Sequence, residues 1–171
     1  MKKSYCYKLM FIVAIICIFL LAIFYFTSYR FQKVGFPNDN IYYNMSINSF
    51  KREMGEFQNE ITKESGAKCY TYDVTFNGIK GKCSFDFVKD KLSDITFISI
   101  SNGYDKSIMT EIIEYIETFY KNKKGFEIEN DYNKDNYYSF CVKDNNGATG
   151  KFVTIELKYN GTIVIMAENT F

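Results

Sequence analysis

The sequence predicts an α+β protein in which an N-terminal transmembrane helix precedes a tandem α-β-β-β / α-β-β-β domain with antiparallel sheets. Three observations predict this. Residues 9–26 are an unbroken apolar run, a helical apolar stripe precedes alternating segments twice, and Asn-Gly pairs separate two pairs of these segments. We therefore expect a cytoplasmic stub and anchor at 1–30, a tether at 31–44, and a folded domain at 45–171 with units 45–103 and 104–171.

Composition supports a folded domain and excludes several kinds of chemistry. The chain has 171 residues with 47% hydrophobic content, Tyr 15, Phe 17 and a single Pro, which is enough apolar side chain for a sizeable core. The absence of histidine excludes Ser–His and Cys–His catalysis and the common zinc ligand sets. A net charge of +1 gives no electrostatic case for nucleic acid as a partner.

The apolar run has the length of a membrane-spanning helix. Residues 9–26, LMFIVAIICIFLLAIFYF, would form a helix of about 27 Å, close to the roughly 30 Å of a hydrocarbon core. The run is longer than a signal-peptide core, and no small-residue cleavage site follows it. We therefore expect an uncleaved single-pass anchor that contacts lipid through residues 9–27, with a cleaved signal peptide as the alternative. The preceding lysines predict a cytoplasmic N-terminus and an extracytoplasmic domain in the cell membrane.

The first unit should begin with a helix at 46–61. Ser46 is a favourable N-cap, and Met45 and Phe50 flank it as a hydrophobic staple. The apolar stripe continues through Met54, Phe57 and Ile61. Gly55 interrupts this stripe, so an early end at that glycine is the alternative.

A hairpin and a third strand follow this helix. Asn77-Gly78 is the strongest signal for a two-residue type I′ turn, and it predicts that Phe76 pairs with Ile79. The alternation then places Tyr70, Tyr72, Val74, Phe76, Cys83, Phe85 and Phe87 on one buried face. The third strand is predicted at 92–101.

The second unit repeats this order. Asp105 should cap a helix that runs to about residue 122, and strands are predicted at 136–143, 151–159 and 162–168. Asn160-Gly161 is again a type I′ signal. This turn would place Val164 and Met166 on the same face as four residues of the preceding strand: Val153, Ile155, Leu157 and Tyr159.

The first unit carries a short resemblance to known domains. Met45-Ser46 opens a helix, Gly55 lies near its end, and residues 81–92, GKCSFDFVKDKL, form paired strands. These features resemble small outer-membrane assembly lipoprotein domains, and the tandem helix-plus-sheet order resembles β-lactamase-inhibitor-protein-like domains. The resemblance implies a fold of that kind. It carries over no functional residue, because this chain has an anchor in place of a lipidation cysteine.

Three cysteines follow the anchor, and strand parity separates them. Cys83 should point to the core, whereas Cys69 and Cys141 point to the other face. We expect three reduced thiols in small buried or half-buried sites. The alternative is a Cys69–Cys141 disulfide, which would require the two units to join edge to edge through the strands that carry these residues. A catalytic thiol has no histidine to serve as its base.

Neither metal nor cofactor binding is predicted. Asp131, Asn133 and Asp135 have the spacing of a calcium loop, but the glycine and the terminal glutamate of that motif are missing, so we expect a solvated loop at 127–136. Glu111, Glu114 and Glu117 are predicted on the solvent face of the second helix, with docking of a basic partner as the alternative.

These observations predict a non-catalytic binding or scaffold module, anchored in a bacterial membrane, with a protein partner of unknown identity. The first alternative is an inhibitor or immunity-type protein that acts on a toxin or an enzyme. The second alternative is a hydrolase that uses carboxylates alone, which requires a deep pocket with two facing carboxylates.

Overall fold

The computed structural model describes residues 10–23, 33–122, 126–144 and 149–169, with only the backbone described at 126, 130–133, 143, 144, 149–151 and 169. The chain divides after Gln32 into an N-terminal helical segment and a domain that starts at Lys33. The described part is α+β, with three helices and one antiparallel sheet of eight strands.

The N-terminal segment is helical wherever it is described. This helix, α1, covers residues 10–23, and all of its described side chains are exposed. Among the described residues, none of the helices has both the length and the apolar character that crossing a membrane requires. Residues 1–9 and 24–30 of the predicted stub and anchor lie outside the described residues.

The domain contains two copies of a helix followed by four antiparallel strands. The strand order is β1-β2-β3-β4-β8-β7-β6-β5, so the two copies join through their last strands, β4 and β8. The first copy comprises α2 (Ile47–Met54), β1 (Asn59–Thr62), β2 (Lys68–Phe76), β3 (Ile79–Val88) and β4 (Lys91–Ser99). The second comprises α3 (Lys106–Lys121), β5 (Phe126–Lys134), β6 (Tyr137–Asp144), β7 (Thr149–Leu157) and β8 (Ile163–Asn169).

The prediction of helix-then-strands twice is confirmed, but the sheet is continuous and each copy has one strand more than predicted. The first missed strand is β1, whose residues overlap the end of the helix predicted at 46–61. Gly55 ends α2 early because its φ of 78° lies in the left-handed region. The second missed strand is β5, which occupies most of the predicted loop at 127–136.

The first hairpin has the predicted register. Phe76 pairs with Ile79, and both turn residues, Asn77 and Gly78, have positive φ, as a type I′ turn requires. The predicted core face is also correct, since Tyr70, Tyr72, Phe76, Cys83, Phe85 and Phe87 are all buried in the core.

The predicted register of the last hairpin is wrong by one residue. Lys158 donates its N–H to the carbonyl of Thr162, so residues 158–162 form a longer loop and Leu157 pairs with Ile163. A shift of one residue exchanges the two faces of a strand. Val164 and Met166 therefore leave the core face, Tyr159 is fully exposed, and the buried residues of β8 are Ile163, Ile165 and Ala167.

The segment predicted as a tether is part of the core. Val34, Phe36, Ile41 and Tyr43 are all 0% exposed, and the domain starts at Lys33. The segment folds back on itself through a bridge between Lys33 and Tyr42, and the hydroxyl of Tyr120 in α3 donates to the carbonyl of Val34 at 2.5 Å. The predicted boundary at residue 45 therefore lies about a dozen residues too late.

Both helices pack on one face of the sheet. The ring of Phe50 in α2 lies 4.6 Å from that of Phe85, and the buried side chains of α3 belong to the same apolar core as Ile155 and Ile165. Asp105 caps α3 as predicted, since its carboxylate accepts from the N–H groups of Ser107 and Ile108. The other face of the sheet is covered by neither helix.

Candidate functional site: the open face of the sheet

The residues that point away from the helices form a broad surface, which we call the open face. The pairing register places these residues in three rows that cross the sheet at right angles to the strands. The middle row consists mainly of hydroxyl side chains, most of them half-buried. From β2 to β6 its members are Thr71, Ser84, Thr96, Met166, Thr154 and Ser139.

One end of the open face is apolar at its centre. Ile98 in β4 pairs with Val164 in β8, and Ile98 is 46% exposed. These two residues line an open depression of about 530 Å³ together with Lys158, Tyr159, Asn160 and Thr162. This end therefore offers aliphatic and aromatic surface without a carboxylate in its lining.

The opposite end of the open face is acidic at its centre. Asp86 in β3 pairs with Asp94 in β4, which in turn pairs with Glu168 in β8. We call these three residues the carboxylate row. Side chains directly opposite each other on neighbouring strands lie about 4.5–5.5 Å apart at Cβ, so the three carboxylates are close neighbours.

Hydrogen bonds and charges within the carboxylate row are unevenly distributed. Lys63 forms an ion pair with Asp86, and this hydrogen bond raises the pKa of the lysine. Asp94 accepts a hydrogen bond from the Ser93 hydroxyl at 2.6 Å. The Oδ1 atom of Asp86 is buried and has no hydrogen-bond partner. Asp94 and Glu168 have no lysine or arginine within ion-pair distance among the described residues.

The three cysteines of the domain have the predicted orientations. Cys83 is in the core, and Cys69 and Cys141 are buried on the open face. Burial, followed by a hydrogen bond to Asp86, raises the pKa of Cys69 to about 11, and burial raises that of Cys83 as well. Neither thiol is therefore a nucleophile near neutral pH.

The alternative, a disulfide between Cys69 and Cys141, is not formed, and both thiols are free. It required the units to join through β2 and β6, whereas they join through β4 and β8. Five strand spacings of about 4.8 Å separate β2 from β6, which places the two residues roughly 24 Å apart. A disulfide needs Cα atoms within about 7 Å.

The glutamate row of α3 is only partly a solvent face. Glu111 and Glu114 are exposed, but Glu117 is half-buried and accepts hydrogen bonds from Lys121 and from the hydroxyl of Tyr138. Burial would raise the pKa of Glu117, but these hydrogen bonds outweigh it and lower the pKa. Glu117 therefore attaches α3 to β6.

The three residues with calcium-loop spacing, Asp131, Asn133 and Asp135, lie in β5 or directly after it. Asp135 follows β5 and forms an ion pair with Lys106 at 3.0 Å, while the side chains of Asp131 and Asn133 lie outside the described residues. Within the described part of the chain, no three acidic or cysteine side chains are grouped as metal ligands.

Comparison with known proteins gives no relative: no family model, no curated protein and no solved structure matches this chain.

Proposed function

We propose that the chain is a membrane-anchored, extracytoplasmic module that binds a protein partner through the open face. The observation that carries this proposal is the one-sided packing of the sheet: both helices of the domain lie on one face, and the other is a wide face of mixed hydroxyl, apolar and acidic side chains that neither helix covers. Exposed apolar residues gathered on one surface are typical of binding sites.

The composition of the N-terminal segment supports the membrane part of the proposal. The described residues of α1 are apolar on every side and all exposed, whereas a helix on the surface of a globular domain has one polar side. The apolar run continues in the sequence beyond both described ends of α1.

An inhibitor or immunity-type protein would use the same surface, and only the nature of the partner separates it from a scaffold module. The carboxylate hydrolase has less support. The paired carboxylates Asp94 and Glu168 do not line the depression at the apolar end, and no other carboxylate lines it either.

Membrane anchoring is tested by alkaline carbonate extraction and by adding protease to intact spheroplasts. We expect the protein to remain in the membrane pellet and the domain to be digested from outside. Release by carbonate, or protection in intact spheroplasts with digestion after lysis, would contradict the proposal.

Binding through the open face is tested by photo-crosslinking in cells. A photoreactive amino acid replaces Thr96, at the centre of the open face, or Thr110, which is exposed on α3. We expect a discrete protein adduct from position 96 and none from position 110. Adducts of equal yield from both positions would place the binding surface elsewhere.

A further inference from the structure

We infer that the acidic end of the open face docks a basic segment of the partner, with lysine or arginine side chains lying over Asp94 and Glu168. This inference rests on the proposed function and specifies the chemistry of its partner. It is carried by the charge arrangement of the open face and by the apolar side chains beside it.

The carboxylate row is unfavourable for the isolated domain. Asp86, Asp94 and Glu168 stand directly opposite one another on three adjacent strands. Like charges at directly opposite positions destabilise a sheet. A partner that brings positive charge would reduce this repulsion, which within the described part of the domain is relieved by a lysine only at Asp86, through Lys63.

Six carboxylates of the domain have a lysine within ion-pair distance among the described residues, whereas others, such as Glu111 and Glu114, have none. Glu117 is paired with Lys121, Asp135 with Lys106, and Glu156 with Lys158. Asp94 and Glu168 also have none, and they differ from Glu111 and Glu114 in standing directly opposite each other on paired strands. Two of the three carboxylates in the row therefore have no cationic partner among the described residues.

The surroundings of the row favour a protein segment over a lone ion. Met166 and Phe152 are half-buried neighbours of Glu168 on the open face, and Ile98 and Val164 both lie two rows away. The aliphatic stems of lysine and arginine pack on such side chains while their charged ends reach carboxylates. Among the described residues, these carboxylates do not form a group that could hold a metal ion.

The inference is tested with the full chain in nanodiscs of phosphatidylcholine, whose headgroup has no net charge. The probe is a fluorescein-labelled heptapeptide of alternating lysine and leucine, and its binding is followed by fluorescence anisotropy. The double variant Asp94→Asn/Glu168→Gln removes two charges from the row. Its matched control, Glu111→Gln/Glu114→Gln, removes two charges from the exposed side of α3.

We expect the dissociation constant of the peptide to rise about tenfold in the row variant, equivalent to roughly 1.4 kcal/mol, and less than twofold in the control. Equal losses in both variants would mean attraction by net charge alone and would overturn the inference. Unchanged binding in the row variant would also overturn it. If Thr96 still crosslinks to a partner in either case, the proposed function stands and only the chemistry assigned to the partner fails.

Thermal unfolding supplies a second readout. Because the row repels itself, we expect the variant Asp94→Asn/Glu168→Gln to unfold a few degrees higher than wild type, by roughly 1–5 °C. A lower unfolding temperature would mean that the carboxylates support the fold, and it would contradict the inference. A rise in the wild-type unfolding temperature with 1 mM calcium that is absent in the variant would assign the row to a metal and overturn it as well.

Discussion

The first half of the domain covers its four strands with a helix of eight residues, whereas the second half uses a helix of sixteen. The short helix α2 buries only Phe50, and the sheet beneath it supplies large aromatic partners. The rings of Tyr72, Phe85 and Phe87 lie 4.6–5.5 Å from the Phe50 ring.

The long helix α3 distributes its packing over four buried side chains: Met109, Ile112, Ile116 and Tyr120. The strands beneath it contribute mostly aliphatic residues, among them Val153, Ile155 and Ile165. The same helix-on-sheet arrangement is therefore stabilised differently in the two halves of the domain. A concentrated contact depends on a single large residue, while a distributed contact tolerates the loss of any one member.

The largest expected effect is at the concentrated contact. Replacing Phe50 by Ala removes the only fully buried side chain of α2 and leaves a cavity among aromatic rings, which should lower the free energy of unfolding by about 3–5 kcal/mol. Urea unfolding followed by circular dichroism measures the loss. The exposed Arg52→Ala on the same helix is the control. A loss below about 1 kcal/mol would show that α2 does not depend on Phe50.

The distributed contact should lose less from one truncation. Ile116→Ala removes one of four buried side chains of α3, and we expect a loss of about 2–4 kcal/mol in the same urea experiment. Ile113→Ala, at a half-buried position, is the control and should cost less. If Ile116→Ala cost as much as Phe50→Ala, the contrast between the two halves would not hold.

The N-caps of the two helices should respond differently to acid. Ser46 accepts one backbone N–H, from Ser49, and Ser46→Ala should cost about 1 kcal/mol at any pH. Asp105 bonds to the Ser107 hydroxyl and to the N–H groups of Ile108 and Ser107, and these hydrogen bonds lower its pKa.

A carboxylate with a lowered pKa stabilises the folded state above its ordinary pKa and loses this effect as the pH falls through the lowered value. The cost of Asp105→Ala should therefore decrease between pH 5 and pH 3, while that of Ser46→Ala stays constant. Parallel curves for the two variants would contradict this assignment of the caps.

The smallest expected effect is at Glu117, which links α3 to β6. Its lowered pKa means that its contribution is present above its ordinary value near 4.5 and disappears as the pH falls through the lowered pKa. Glu117→Gln should cost about 0.2–1 kcal/mol at pH 7, the range for partly exposed ion pairs, and nothing in strong acid. Glu114→Gln is the control, and an equal effect there would mean that general charge, not the link to Tyr138, is responsible.

Local signals in the sequence predicted one hairpin turn and both helix caps of the domain. The Asn77-Gly78 turn and the caps at Ser46 and Asp105 depend on neighbouring residues only, and all three are confirmed. The edge strand β1 was missed because all four of its side chains are exposed, so it has no alternation to detect. The core residues of 33–43 were missed for a related reason, since an irregular segment has no period.

The site was predicted less completely than the fold. Alternation placed Cys69 on the second face correctly, but the pairing of Asp94 with Glu168 joins residues 74 positions apart and has no local signal. The loop at 158–162 is longer than the predicted two-residue turn, so the residues of β8 point to the opposite face from the one predicted. Val164 and Met166 therefore lie on the open face. Loop length, which the Asn160-Gly161 pair did not reveal, therefore decided which surface these residues occupy.

The position of β8 has a consequence for synthesis. This strand is the last along the described chain, yet it lies in the middle of the sheet, between β4 and β7. While a ribosome or an export channel still holds residues 163–169, the two half-sheets have no common strand, and β4 and β7 each present an unpaired edge. Unpaired edges recruit other chains. Nascent molecules are therefore most prone to misassembly before β8 emerges, and a chaperone that shields strand edges at that stage would have its greatest effect on yield.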